Sequence, residues 1–388
     1  MSGCSRTGQN PYAESLCSLG VTARYPEEFA PRAGATVNAE DINLGNSYAV
    51  STDASGKATL KLPTGLYRIR ISDRGETDIF NGSADHVRVS GDNSIEVSLK
   101  HSKPGSIIIR EIYCGGCSKA PEEGTYQLDQ YLILHNNDVQ VQYLDTLCLG
   151  AAQPYNSASN NAWTSKDPGT GETVFRDFVP VVEAVWQFGG SGKDFPLQPG
   201  EDAVVCLKGA IDHSARYPLS VNLNRKGYFV CYNPTYYADP NNHPTPGNNI
   251  SDDHWLDVVI KTGQAKAYTY SINSPATVIW RAKGCSMREF VKNPDNIKQV
   301  PGGSERVVAV PVDWIMDGVE IFNGSIGNKR LCPQIDAGHV SLSATHLGHV
   351  LTRRTDADLT ASSGFTVYAD TNNSSEDFVE QETQSLHE

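Results

Sequence analysis

Apolar positions along this chain alternate with polar ones or run unbroken for a few residues, and long stretches at helical spacing are scarce. Ala58, Leu60 and Leu62 alternate with polar neighbours, as do Tyr67, Ile69 and Ile71, a period of two that predicts half-buried strands. Asp53 to Gly56 and Pro63, Thr64 and Gly65 supply the turns around them, and Val87, Val89, Ile95, Val97 and Leu99 predict two more strands. Residues 107–113, 131–135 and 143–149 form three short apolar runs rich in β-branched and aromatic side chains. The first has too little alternation for one wet face, so a central place in a sheet covered on both sides is expected. Asn136, Asn137 and Asp138 read as a turn. Short helices are expected only at 180–188 and 286–292.

Composition narrows the class. The chain has 388 residues, 39% of them hydrophobic, enough for two or three packed domains. Thirty-four Gly, 21 Pro and 17 Tyr against 3 Met suit a turn-rich all-β protein. The net charge of −13 disfavours binding to nucleic-acid phosphates. No apolar run approaches the roughly 18 residues of a membrane helix, so the chain as given reads as soluble, and any membrane contact would come through a lipid anchor.

Nine cysteines are present; with Cys4 set aside, eight could form up to four disulfides. Cys148, Cys206 and Cys231 stand in apolar strand contexts and are expected as buried thiols. The opening Met-Ser-Gly-Cys has neither a charged nor an apolar leader region. Ser2, Gly3 and Cys4 nevertheless resemble the last positions of a bacterial lipobox, which makes Cys4 a candidate lipidation site and residues 1–18 a polar tether. The acids that often follow such a Cys in surface-exported lipoproteins are absent, which leaves the membrane face open.

Two resemblances bear on domains. The stretch from Thr52 to Tyr67, TDASGKATLKLPTGLY, resembles the carboxypeptidase-regulatory-like (transthyretin-like) β-sandwich family, implying such a domain over 19–101. Glu111-Ile112, Asp129-Gln130-Tyr131, Asn136-Asn137, Leu147 to Gly150 and the LQPGE at 197–201 resemble a lamin-tail-like immunoglobulin sandwich, implying a larger β-sandwich with long loops over 105–374, closed by a strand at 364–368. Together EIYCGGC, LDQYLILHNN, AVWQFGGSGKDFPLQPGE, AIDHS and DTNNSSEDF resemble a Bacteroidetes lipoprotein family that combines the two domains. The Cys114 and Cys117 pair departs from that pattern. The resemblance implies an outer-membrane lipoprotein of the bacterial cell envelope, associated with (TonB-dependent) nutrient uptake, and carries over no catalytic residue. The tail 375–388 has acids and no Lys or Arg and is expected to be disordered.

Candidate chemistry is sparse. Cys114-Gly-Gly-Cys117 has the spacing of a local disulfide, of free thiols, or of half a zinc or redox site; no second such pair exists, and a disulfide leads. His243, Asp252 and His254 fall in a Pro/Asn/Gly-rich loop and are candidate transition-metal ligands, against a plainer reading as exposed loop residues. His339, His346 and His349 make a second such group, and Trp255 is expected to anchor its loop in the core. Asp370, Asn372, Ser374 and Glu376 alternate as in calcium loops but lack the glycine and glutamate of an EF-hand, so a side-chain-capped turn is favoured. Gly189 to Lys193 fits neither a nucleophile elbow nor a phosphate loop and reads as a flexible hairpin tip.

The sequence therefore points to a non-enzymatic all-β binding or accessory protein without cofactor. Its expected partners are an outer-membrane transporter or other envelope protein and a small-molecule or glycan ligand. Long loops at 151–195 and 233–254, with Tyr155, Trp163, Tyr236 and Tyr237, are the candidate contact surface. The alternatives are a metal-dependent hydrolase built on His243, Asp252 and His254, and a structural adhesin or spacer.

Overall fold

In the computed structural model, residues 16–75, 78–169, 171–324 and 327–387 are described. Cys4 and most of the predicted tether lie outside them, and the first strand begins at Cys17. The fold is all-β and built from sandwiches, and the chain divides into two units, 1–73 with 82–99 and 74–81 with 100–388.

In the smaller unit, Cys17–Arg24 pairs antiparallel with Lys57–Leu62 and parallel with Asn93–Ser98. A second sheet runs in the order Ser47–Ser51, Thr36–Asp41, Gly65–Arg74, Ile79–Val89. The predicted alternation holds in Lys57–Leu62, where Ala58, Leu60 and Leu62 point inward. The Asp53 carboxylate accepts from the Ser55 and Lys57 amides and makes the preceding turn. Gly65–Arg74 differs from a half-wet strand. Its second face buries Arg68 and Arg70, which pair with Glu40, and Arg68 also with Asp85.

The larger unit holds two main sheets. One runs Phe229–Val230, Asp202–Cys206, Tyr131–Asn136, Ile107–Tyr113, Val350–Arg353, Phe378–Gln381. The other runs Ile297–Gln299, Arg306–Pro311, Phe178–Gln187, Cys148–Ala152, Ala276–Trp280, Ile315–Phe322, Val340–Ser341, with Asp257–Lys261 joined to Phe178–Gln187. One core contains Ile107, Ile109, Leu132, Leu134, Trp186, Val205, Ile279, Ile321 and Phe378. A second gathers Val181, Val278, Trp280 and Trp314, and a third Tyr113, Tyr131, Ile133, Val204 and Val230. Strand neighbours such as Leu132 and Ile133 feed different cores, so both faces of these strands are covered. That accounts for the unbroken apolar runs and places Ile107–Tyr113 centrally, as its pattern predicts.

Four expectations are corrected. Residues 180–187 belong to the strand Phe178–Gln187, with Phe188 just past its end, and not to a helix: with both faces buried, its unbroken apolar pattern has no period to read. The run 143–149 is split into Gln142–Tyr143 and Cys148–Ala152 by a turn that carries Asp145. No strand forms at 364–368. Asp356 caps the helix Ala357–Ser363, Gly364 ends it in left-handed conformation, and Tyr368 makes only a single bridge to Thr355. The described part of the tail, to residue 387, is ordered: Ser374–Asp377 is a helical turn and Phe378–Gln381 an edge strand on Val350–Arg353. The helix expected at 286–292 is present as Met287–Phe290, with a Ser286/Glu289 capping box.

Two buried charge clusters tie this unit together. Arg330 and Glu320 are both fully buried at 2.6 Å, and the guanidinium also donates to the carbonyls of Pro154, Ser274 and Ile321. Arg353 meets three buried aspartates: Asp317 at 2.7 Å, Asp377 at 3.1 Å and Asp370 at 3.2 Å. The Asp370 carboxylate accepts from the Gly105 amide, and Asp317 from that of Ile109. The turn at 370–377 is thus closed by an arginine and by side-chain caps rather than in the manner of a calcium loop.

Candidate functional site

Three segments far apart in sequence enclose a cleft of about 520 Å³ on the larger unit, within the usual size range of small-molecule sites. Cys117–Ser118 pairs with Thr125–Tyr126 and presents Tyr126, and the turn between them presents Lys119. The loop after Asp202–Cys206 contributes His213, Arg216 and Tyr217, and the loop at 233–254 contributes Asn241 and Asn242.

The second glycine of the CGGC stretch serves this construction. Gly116 has φ +70, and a Cβ there would lie 2.1 Å from the Tyr126 carbonyl oxygen. Gly116→Ala is therefore expected to displace Tyr126 and lower stability by about 2 kcal/mol or more, from left-handed strain and overlap together. Urea unfolding checks this, and an unchanged midpoint would contradict it.

The cleft wall is a hydrogen-bonded aromatic cluster. The Tyr126 hydroxyl donates to His213 Nδ1 at 2.7 Å, while His213 Nε2 lies 2.9 Å from the Gly209 carbonyl. A carbonyl only accepts, so Nε2 carries a proton; with the pKa lowered by burial the ring is neutral, which leaves Nδ1 to accept from Tyr126. Burial lowers the His213 pKa, against a smaller opposing effect of Asp129. The Tyr126 and Tyr217 rings lie 4.4 Å apart. Behind the wall, the fully buried Asp129 accepts from Ser220 at 2.6 Å, from Tyr113 at 3.0 Å and from the Cys117 thiol at 3.6 Å. Burial, then the charge of Asp129, pushes the Cys117 thiol up to about 12, which leaves little thiolate at neutral pH. Lys208, 8% exposed, is pulled down to about 8 by burial, and Asp129 opposes that shift.

The residues expected from sequence are distributed differently. Cys114 and Cys117 are buried and unbridged, Cys114 packing in the core and Cys117 bonding to Asp129, so the expected disulfide is not formed. Cys148, Cys206 and Cys231 are buried thiols, as expected. His243, Asp252 and His254 form no ligand set, and no group of three or more His, Cys, Asp or Glu suited to a metal occurs among the described residues. His243 is buried rather than exposed. Its Nε2 accepts from the Asn233 amide, its ring stacks on Tyr232, and burial pulls its pKa down to about 4. His254 packs on Phe229 beside Asp253, and Asp252 is an exposed residue of a short helical turn. Trp255 does anchor its loop, edge-on to Tyr232. His349 pairs with Glu380 and His339 stacks on Phe322.

The expected contact surface is divided. Tyr155 and Tyr236 are exposed, at 37% and 45%. Trp163 and Tyr237 are core residues instead, at 6% and 1%. Trp163 donates to the Gln153 side chain at 2.7 Å and packs on Phe178, and Tyr237 packs on Trp186 and Tyr268. The tip at 189–193 wraps the Asp145 carboxylate, which accepts from the amides of Gly192, Asp194 and Phe195. Burial would raise the Asp145 pKa, but those amides outweigh it and hold it below the ordinary range. Tyr126, His213 and Tyr217 were not singled out from sequence; only the AIDHS motif contained one of them.

Fold and cleft define an all-β protein of two units with a ligand-sized recess on the larger one. The profile of a family described as "Protein of unknown function (DUF4876)" matches residues 198–385, which include His213, Arg216, Tyr217 and Asn241. Among solved structures, a DUF4876 family protein from Bacteroides thetaiotaomicron is 20% identical, with TM-score 0.60 over 94% of each chain, and shares the fold. The full-length major pilin SpaD of Corynebacterium diphtheriae reaches TM-score 0.18 at 9% identity, over 40% of this chain and 48% of the pilin. The TIE protein of Bacillus anthracis also gives 0.18, at 11% identity over 52% and 37% of the two chains. Neither of those two bears on function. A search of curated proteins gave no match.

Proposed function

We propose that this chain is a non-catalytic binding protein of the bacterial cell envelope, related to the DUF4876 family. In this reading it is anchored through lipid on Cys4 and works beside an outer-membrane nutrient transporter. The cleft at Tyr126, His213 and Tyr217 carries the reading. It is ligand-sized and lined by aromatic rings and amides, the groups that hold hydroxyl-rich small molecules. The nearby groups with chemical potential are engaged structurally: His213 through both ring nitrogens, Cys117 as a thiol bonded to Asp129.

Two experiments test it. The full chain, screened by melting temperature against neutral and acidic oligosaccharides, is expected to show a ligand-dependent rise, since a ligand at about 100 times its Kd adds roughly 2.7 kcal/mol. Tyr126→Ala should abolish that rise while leaving the circular dichroism spectrum unchanged. No rise with any ligand would remove the reading. For the anchor, Cys4→Ala in the native host is expected to eliminate fatty-acid labelling and release the protein from the membrane fraction. Labelling that survives the substitution would overturn the anchor.

A further inference from the structure

The cleft has a charge that the chain as a whole does not. The protein carries −13, yet two cations converge on one aromatic ring inside the recess. The Arg216 guanidinium carbon lies 5.2 Å from the Tyr217 ring centroid, and Lys119 Nζ lies 5.8 Å from it. We infer that this cleft takes an acidic saccharide, with the sugar carboxylate held between Lys119 and Arg216. The inference rests on the binding reading above and specifies its ligand.

The neighbouring carboxylates do not consume these cations. Asp212, which itself lines the cleft, is engaged by the Ser214 hydroxyl at 2.7 Å and the Ala215 amide at 3.2 Å and forms no ion pair with either cation among the described residues. Asp239 is engaged by the Asn241 amide and the Asn242 side chain. Asp129 is sealed behind the wall with three donors on one oxygen. Among the described residues no carboxylate pairs with Lys119. Among the described residues Arg216 has one carboxylate partner, Glu122 at 3.4 Å, and both side chains are more than half exposed. Such a pair is weak and screened by solvent, so an incoming carboxylate can replace Glu122 at little cost.

The remaining lining suits the rest of a sugar. The Tyr126 hydroxyl spends its proton on His213 and keeps its oxygen lone pairs free to accept from a sugar hydroxyl. Gln127 and Asn241, which also line the cleft, carry amides that both donate and accept. At physiological salt the Debye length is about 8 Å, so the distant negative surface is screened while the two cations act at contact.

The test uses uronic-acid trisaccharides of several kinds and their carboxyl-reduced counterparts, in which each carboxylate becomes a primary alcohol. Calorimetry with the full chain is expected to show at least one acidic member bound ten-fold or more tightly than its reduced partner, the preference shrinking from 50 to 500 mM salt. The doubly substituted Lys119→Met, Arg216→Met protein should lose the preference to within two-fold while keeping its melting temperature. Binding of a neutral trisaccharide as tightly as its acidic form would overturn the charge assignment and leave the binding reading standing, as would a preference that survives the double substitution. No binding to either set by the unsubstituted protein would overturn both.

Discussion

Arg353→Met is expected to leave the larger unit unable to hold its fold at neutral pH. The guanidinium is almost fully buried and faces Asp317, Asp370 and Asp377; it also donates to the carbonyls of Ile109 and Ala369. Removing one partner of a buried ion pair costs about 3–5 kcal/mol, because the other charge is left without compensation. Here three carboxylates lose their cation, against a total folding free energy of roughly 5–15 kcal/mol. Asp377→Asn is expected to be far milder, since the amide oxygen can still accept from Arg353 and one negative charge disappears. Urea unfolding followed by tryptophan fluorescence checks both. An Arg353→Met midpoint equal to that of the unsubstituted protein would refute the account.

The same cluster sets a direction for pH. Burial pushes Asp377 up to about 7 and Asp317 up to about 6; Arg353 opposes the shift and the charge of Asp370 adds to it. In the unfolded chain these groups titrate near 3.9, so the folded state binds more protons between about pH 4 and 7. Their contribution is complete at low pH and is lost as pH rises through 6 and 7. The buried His243, pulled down to about 4, works in the opposite sense below about 6.5, where the unfolded imidazole gains a proton and the folded one does not. Lys208, pulled down to about 8, and His213, lowered by burial, also work in the opposite sense, so the aspartate effect is read as a difference between two proteins. Between pH 5 and 7 the urea midpoint of the unsubstituted protein should fall relative to that of Asp377→Asn.

What the sequence revealed follows physical lines. Leu60 and Leu62 were legible because one face of their strand is wet, and Ile107 to Ile109 because a short β-branched run fits a covered strand. Residues 180–188 were not legible: Val181, Val182, Val185 and Trp186 are all buried, which erases the period that separates strand from helix. The turn inside 143–149 depends on Asp145 collecting amides from about fifty residues downstream, a contact no local pattern announces. The cleft was missed for the same reason. Its parts at 117–126, 212–217 and 241–242 are each ordinary polar loop in the sequence and become a recess only when sheet pairing brings them together. Cys114 and Cys117 carried a spacing suggestive of a bridge, but burial and the Asp129 carboxylate account for them as thiols.

Ending the chain after Asn373 should be nearly as damaging as Arg353→Met, although local composition makes the tail look dispensable. Its acids are not all solvated. Asp377 is buried against Arg353, and Glu380 accepts from Ser343 and His349. Phe378 is 3% exposed and packs in the main core beneath the guanidinium, whose carbon lies 4.9 Å from its ring. Burying that phenylalanine is worth about 1.5–3 kcal/mol, and each edge-strand hydrogen bond about 0.5–1.5 kcal/mol. The truncation thus removes roughly 5 kcal/mol or more and exposes Leu351 and Arg353 to water. Removing only the last two residues should change little, because the hydrogen bonds of His387 are an exposed one from its ring to the Pro218 carbonyl and a local one from its amide to the Gln384 carbonyl. The two large effects should also fail to add: in the truncated chain Arg353→Met no longer strands Asp377, so its cost should be smaller there than in the full chain. Additive losses across the four proteins would mean that the tail and Arg353 stabilise the fold independently, against the shared Asp377 contact.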